Sequence, residues 1–301
     1  MRHSVFLSIF FLILTGLSFS PGHAGAESSK FRLCVVNERP DQPDFALNQY
    51  SKLHNCLKKE MAAKNIQVDK LVVAENVRDL IDKIRSGEVD AFIEGVMPTL
   101  EAERMTGAVE PRVLVWRKGQ REYRSVFFVP RLSGVKKLTD LKGLTLAFES
   151  PRSTSAYYIP RIVLARQGLG IAPAPAGKSP DKVNFLFAGS ELNQAYWVQR
   201  GKVEAGVFND GDWERTPPQI RDQLWIIHET KPVLRWLLSF HKNIDPGLRE
   251  TVTDTLISLP ETETGREALR QAEGIARFEK LLEEDRENLD YWRKLLKTTK
   301  I

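Results

Sequence analysis

The 301-residue chain is poor in the motifs by which enzymes and nucleic-acid binders often declare themselves. It has two cysteines, Cys34 and Cys56, in neither a C-x-x-C pair nor a zinc-ligand spacing. That removes the common structural zinc sites and dithiol redox chemistry. No G-x-S-x-G nucleophile elbow, G-x-x-x-x-G-K-[ST] phosphate loop or H-E-x-x-H is present. His54, His228 and His241 stand alone, as surface or core histidines do more often than ligands. Triads assemble from distant segments, so only the motif-bearing enzyme classes are disfavoured. No basic block is longer than Lys58-Lys59 or Lys136-Lys137, and the net charge is only +5. Scattered charge of this kind argues against nucleic acid as a partner. No cofactor is implied.

One long apolar run is present, at the N-terminus. Arg2 and His3 precede an almost wholly apolar Val5 to Leu17, and Ala24-Gly25-Ala26 offers a cleavage site. The run is short for a bilayer, which needs about 20 residues. It lacks the cysteine of a lipoprotein anchor. We read residues 1–26 as a cleavable signal peptide and expect a soluble protein exported to the periplasm. Export makes a Cys34–Cys56 disulfide permissible, and two reduced thiols are equally compatible with the spacing.

About 275 residues then remain, a length that fits two lobes. Strand and helix patterns alternate. Strands are expected at Phe31–Val36, Val68–Ala74, Val89–Ile93, Arg121–Val129, Leu144–Phe148, Val183–Phe187, Val203–Phe208, Leu224–Ile227 and Trp236–His241. Helices are expected at Phe45–Lys64, Val77–Ser86, Met97–Met105, Tyr157–Gln167 and Glu191–Arg200. The remainder, Pro246–Lys297, reads as helical, including Phe278–Leu296. The alternation predicts α/β layers with largely parallel sheets. Crossings near Trp116–Arg121 and Glu229–Arg235 would make lobe 1 discontinuous, 27–117 plus 235–301, with lobe 2 at 118–234.

One junction carries more information than the others. Ser153-Thr154-Ser155 lies between the strand Leu144–Phe148 and the helix that follows. A helix N-terminus has unpaired N–H groups and the positive end of the dipole. Three hydroxyls there suit a small anion, or supply a cap. Four other strand ends also carry small or polar residues: Asn37-Glu38-Arg39, Gly95 to Thr99, Gly189-Ser190-Glu191 and Asn209-Asp210-Gly211. In α/β sheets, ligands bind at such ends.

Several stretches resemble the substrate-binding proteins of phosphonate, phosphite and phosphate ABC transporters. They are Ser86-Gly87-Glu88-Val89-Asp90-Ala91, Tyr123-Arg124-Ser125, Ser153-Thr154-Ser155 with Pro160, and Gly201 to Asn209. The resemblance implies a two-lobed, type II periplasmic-binding-protein fold of the Venus-flytrap kind, with a ligand cleft between the lobes. It implies that Ser153, Thr154 and Ser155 hold an oxyanion, with Arg152 nearby and Tyr123 and Asn209 as further cleft candidates. It implies a small anionic ligand, a membrane permease as partner and no catalysis. A membrane sensor in place of the permease, or less readily an enzyme on the same fold, are the alternatives. We expect a monomer. Two positions depart from the family. Thr99 stands where Tyr is frequent, and Glu191 where His is frequent. A carboxylate facing a phosphonate repels it unless protonated or paired. A ligand with a cationic group, or a smaller or neutral one, suits Glu191 better if that side chain faces the cleft.

Overall fold

The computed structural model describes residues 29–299 apart from 38, 40, 175 and 176. The expected signal peptide lies outside the described residues. Two six-stranded mixed sheets dominate. In spatial order, the first contains Ile275–Lys280, Val109–Arg117, Trp236–His241, Ala91–Gly95, Leu33–Val36 and Val72–Ala74. The second contains Ile171–Pro173, Val183–Phe187, Thr145–Phe148, Ala205–Asn209, Ser125–Pro130 and Leu224–Glu229. The first sheet draws on both ends of the chain and the second on its middle. Between them, Glu122–Tyr123 pairs antiparallel with Val233–Leu234, where the chain passes from one sheet to the other and back. No helix among the described residues is long and apolar enough to cross a membrane.

The strands form where the apolar pattern demands burial on both faces. Leu33–Val36 and Ala91–Gly95 are buried throughout, as expected of sheet strands covered by helices on each side. Helix starts follow local capping. Asn76 accepts from the Arg78 and Asp79 N–H groups, and Asp245 from that of Leu248.

Five expectations need correction. The sheets are mixed and not largely parallel, because Trp236–His241 and Ser125–Pro130 enter them antiparallel to their neighbours. The run Arg121–Val129 is two strands in different sheets, because the chain leaves the two-stranded ladder at Tyr123 and enters the second six-stranded sheet at Ser125. Val68–Ala74 is likewise two, Ile66–Val68 and Val72–Ala74. The helix expected at Tyr157 is preceded by a wide turn, in which the Tyr158 N–H reaches back to the Ser153 carbonyl at 3.0 Å. Phe278 is not helical. It lies in the strand Ile275–Lys280, paired with Val109–Arg117, and the last helix begins only at Glu283. That strand's polar half, Arg277, Glu279 and Lys280, imitates an amphipathic helix, whereas Ile275 and Phe278 are its buried anchors. Cys34 and Cys56 are both free thiols, and burial pushes the Cys34 thiol up to about 12.

Candidate functional site

Strand ends of both lobes face one another across a cleft of about 540 Å³, within the range of small-molecule sites. All five strand-end clusters reach it, through Arg39, Gly95, Ser153 to Ser155, Gly189 to Glu191, and Asn209. Glu38 lies outside the described residues. Arg152 also lines the cleft.

The three hydroxyl residues have three different settings. Ser153 caps its own helical turn, its Oγ accepting the Ala156 N–H at 3.1 Å. Thr154 Oγ1 accepts the Met97 N–H of the opposite lobe at 3.2 Å. Ser155 is held through its backbone, its carbonyl accepting from Ser125 Oγ at 2.7 Å. Each hydroxyl that accepts still has its own proton to donate. Capping and anion binding are therefore compatible at Ser153 and Thr154. Asn209 caps the next helix, its Oδ1 accepting the Asp212 N–H at 2.9 Å.

Arg235 lies beneath these groups. The Val233–Tyr123 pairing sets it against Tyr123, with its guanidinium 4.3 Å from the ring centroid. Arg235 is 4% exposed and Tyr123 3%. Burial lowers the arginine's pKa, with the neighbouring Tyr123 opposing it, and burial likewise raises that of the Tyr123 phenol. The other buried guanidinium among the described residues, Arg117, is ion-paired with Glu273 and stacks over Trp236 at 4.1 Å. Arg235 has no carboxylate within ion-pair distance among the described residues, and its Nε has no hydrogen-bond partner there. A buried charge without an ionic partner is costly.

Glu191 does line the cleft, as the first residue of the helix Glu191–Gln199. Its carboxyl is raised above the ordinary value of 4.5, first by burial and then by the charge of Asp212, with Lys118 opposing. Asp212 is half-buried, but Lys118, Arg215 and the Asn209 amide outweigh the desolvation and leave its pKa lowered. Of the two acids, Glu191 thus takes up the proton first.

Thr99 is not brought to the site. It is 0% exposed within the helix Val96–Thr106 and does not line the cleft. No loop separates strand from helix here. Gly95 ends one and caps the other, so the cleft-facing position is Gly95, and Thr99 lies a turn deeper. Sequence reasoning also missed Arg235, Arg117 and Glu94. Arg235 had a signal: it interrupts the apolar run Val233-Leu234-Arg235-Trp236-Leu237-Leu238, where a charge needs a reason.

Residues 40–285 match the family described as ABC transporter, phosphonate, periplasmic substrate-binding protein. XAC2383 from Xanthomonas citri bound to chloride ion is 25% identical, with a TM-score of 0.80 over 90% of this chain and 98% of its own. The same protein bound to ATP gives 24% and 0.79 over the same shares. PhnD1 from Prochlorococcus marinus in complex with methylphosphonate gives 20% and 0.61, covering 90% of this chain and 99% of its own.

Proposed function

This chain belongs to the family of periplasmic phosphonate-binding proteins of ABC transporters, and from that premise we propose that it captures a small phosphonate- or sulfonate-like oxyanion by lobe closure. The observation that carries the reading is Arg235, a buried guanidinium at the cleft with no carboxylate beside it among the described residues. A ligand oxyanion would supply the missing charge. Ser153 and Ser155, with the N–H groups of their turn, would direct donors at its remaining oxygens. Ligand bridging both lobes would shift an open–closed equilibrium toward closed. We take 117/118 and 234/235 as the lobe boundaries and the Glu122–Tyr123 and Val233–Leu234 pair as the hinge. The loaded protein would deliver to a membrane permease and perform no chemistry on the ligand.

A thermal-shift panel tests this reading. It should contain phosphate, phosphite, methylphosphonate, sulfate, ethanesulfonate, acetate and ATP, the last because XAC2383 has been solved with it. A phosphonate or sulfonate is expected to raise the melting temperature, with about 2.7 kcal/mol of stabilisation at a hundredfold excess over Kd. Silence across the panel would remove the oxyanion reading, and a response to acetate alone would remove the phosphonate- or sulfonate-like ligand.

Glu191 makes affinity depend on pH. Its raised pKa means that the folded protein holds this proton more tightly than the unfolded chain does. The associated stability is complete below about 4.5 and is lost as pH rises through the raised value. Anion affinity should follow the same direction, because the protonated acid does not repel the ligand. Ethanesulfonate, anionic throughout, is expected to bind more tightly as pH falls through that window. Glu191→Gln should bind more tightly at neutral pH and flatten the profile. An unchanged profile in Glu191→Gln would assign the dependence to another group.

A further inference from the structure

The helix Val96–Thr106 begins without a side-chain cap of its own. Its N-cap residue is Gly95, extended at φ −62 and ψ 160. The first N–H groups of a helix have no partner within it, and a hydroxyl or carboxylate at the N-cap ordinarily accepts one. Here the acceptor comes from the other lobe, Thr154 Oγ1 at 3.2 Å from the Met97 nitrogen. The same two segments meet again alongside, where Arg152 Nη1 lies 3.8 Å from Glu94 Oε2. Glu94 is oriented by the Gly95 N–H, 2.7 Å from its Oε1.

The approach leaves no room for a side chain at position 95. A Cβ on Gly95 would stand 2.8 Å from Thr154 Oγ1 and 3.5 Å from Trp236 Nε1. The Gly95 backbone is open to any residue, so the missing side chain serves the approach of the lobes and not a turn. Thr154 is buried and β-branched, which restricts its escape by rotation.

We propose that Thr154 is a closure residue: its hydroxyl caps the first turn of the opposite lobe's helix only when the lobes close, and Gly95 is the gap that admits it. This rests on the reading of the cleft as a ligand site, since ligand capture is what closure would serve. Acceptance from Met97 occupies one lone pair and leaves the Thr154 proton free to donate. A ligand too large for the 3.2 Å approach would bind without the cap and lose its contribution. The contact therefore also gauges ligand size.

Hydrogen exchange at the Met97 amide tests the contact, with and without saturating ethanesulfonate. Thr154→Val keeps the shape and removes the acceptor. It is expected to speed Met97 exchange by about fivefold, the worth of one cap. Gly95→Ala is expected to enlarge the radius of gyration in solution scattering and weaken sulfonate binding by roughly tenfold. Adding Thr154→Ala to Gly95→Ala should restore the compact radius, because the obstructing oxygen is gone. Met97 exchange that Thr154→Val leaves unchanged in both conditions overturns the proposal, as does a wild-type radius in Gly95→Ala. A silent ligand panel with Met97 exchange still sensitive to Thr154→Val overturns the oxyanion reading alone. A ligand-induced melting shift with Met97 insensitive to Thr154→Val overturns the closure role alone.

Discussion

Replacing Arg235 by methionine is expected to abolish anion binding while leaving the melting temperature of the ligand-free protein unchanged or higher. The two effects have opposite signs because the guanidinium is costly without ligand and indispensable with it. Arg235 is buried, and its chief contact is with the Tyr123 ring at 4.3 Å. A cation–π contact recovers about 0.5–2 kcal/mol. The penalty for an incompletely compensated buried ion is several kcal/mol. Methionine keeps most of the apolar stem and removes the charge, which should offset the lost ring contact. On the binding side, truncating one partner of a buried, hydrogen-bonded charge pair costs about 2–5 kcal/mol, so affinity should fall at least about thirtyfold. Calorimetric titration with ethanesulfonate or methylphosphonate, beside melting of the free protein, reads both effects. Undiminished affinity would remove Arg235 from the site. Lost affinity with a large fall in melting temperature would make the arginine a structural residue.

The second large effect is expected at a buried side chain that does not itself line the cleft. Trp292 lies in the last helix, Glu283–Thr298, and is 1% exposed. It packs in a cluster with Val96, Met97, Leu100, Tyr123, Val233 and Leu234, which Ile159 and Ile162 of the second lobe also join. Its indole N–H donates to the Pro232 carbonyl at 3.1 Å, beside the Asn288 amide at 3.0 Å. The same helix is fastened at its start, where Asp285 accepts both terminal nitrogens of Arg121 at 2.8 Å. The helix thus straps the paired crossing strands onto the first lobe. Trp292→Ala would leave a cavity and take away one of the two donors to the Pro232 carbonyl, with an expected loss of about 3–5 kcal/mol in urea unfolding. Trp292→Phe keeps much of the packing and leaves Asn288 on the carbonyl, so it should cost markedly less. A loss below about 1 kcal/mol for Trp292→Ala would show that the helix is not what holds the crossing strands.

Much of the architecture was legible in the chain because it depends on local pattern. The strands expected at Phe31–Val36 and Val89–Ile93 and the helix expected from Glu191 depend on neighbouring residues, and the structure has Leu33–Val36, Ala91–Gly95 and Glu191–Gln199 there. The reading failed where an element's identity came from its partner. Phe278 belongs to a strand because Val115 lies beside it, and no local period says so. Thr99 was placed at the cleft on the assumption of a loop after the strand, where Gly95 turns directly into the helix.

The hydroxyl triplet marks the same division. Residues 149–160 alone determined that a strand hands over to a helical turn at Ser153, with hydroxyls where N–H groups are unpaired. They could not determine which helix each hydroxyl serves. Ser153 caps its own turn, whereas Thr154 caps a helix some fifty residues earlier in the chain. Arg235 likewise needed the fold. Its sequence neighbours are apolar, and only the pairing of Val233 with Tyr123 sets its charge beneath the cleft. Caps and strands arise from interactions a few residues long, which sequence records directly. A site assembled from five strand ends arises from the packing of two sheets, and only the tertiary structure decides it.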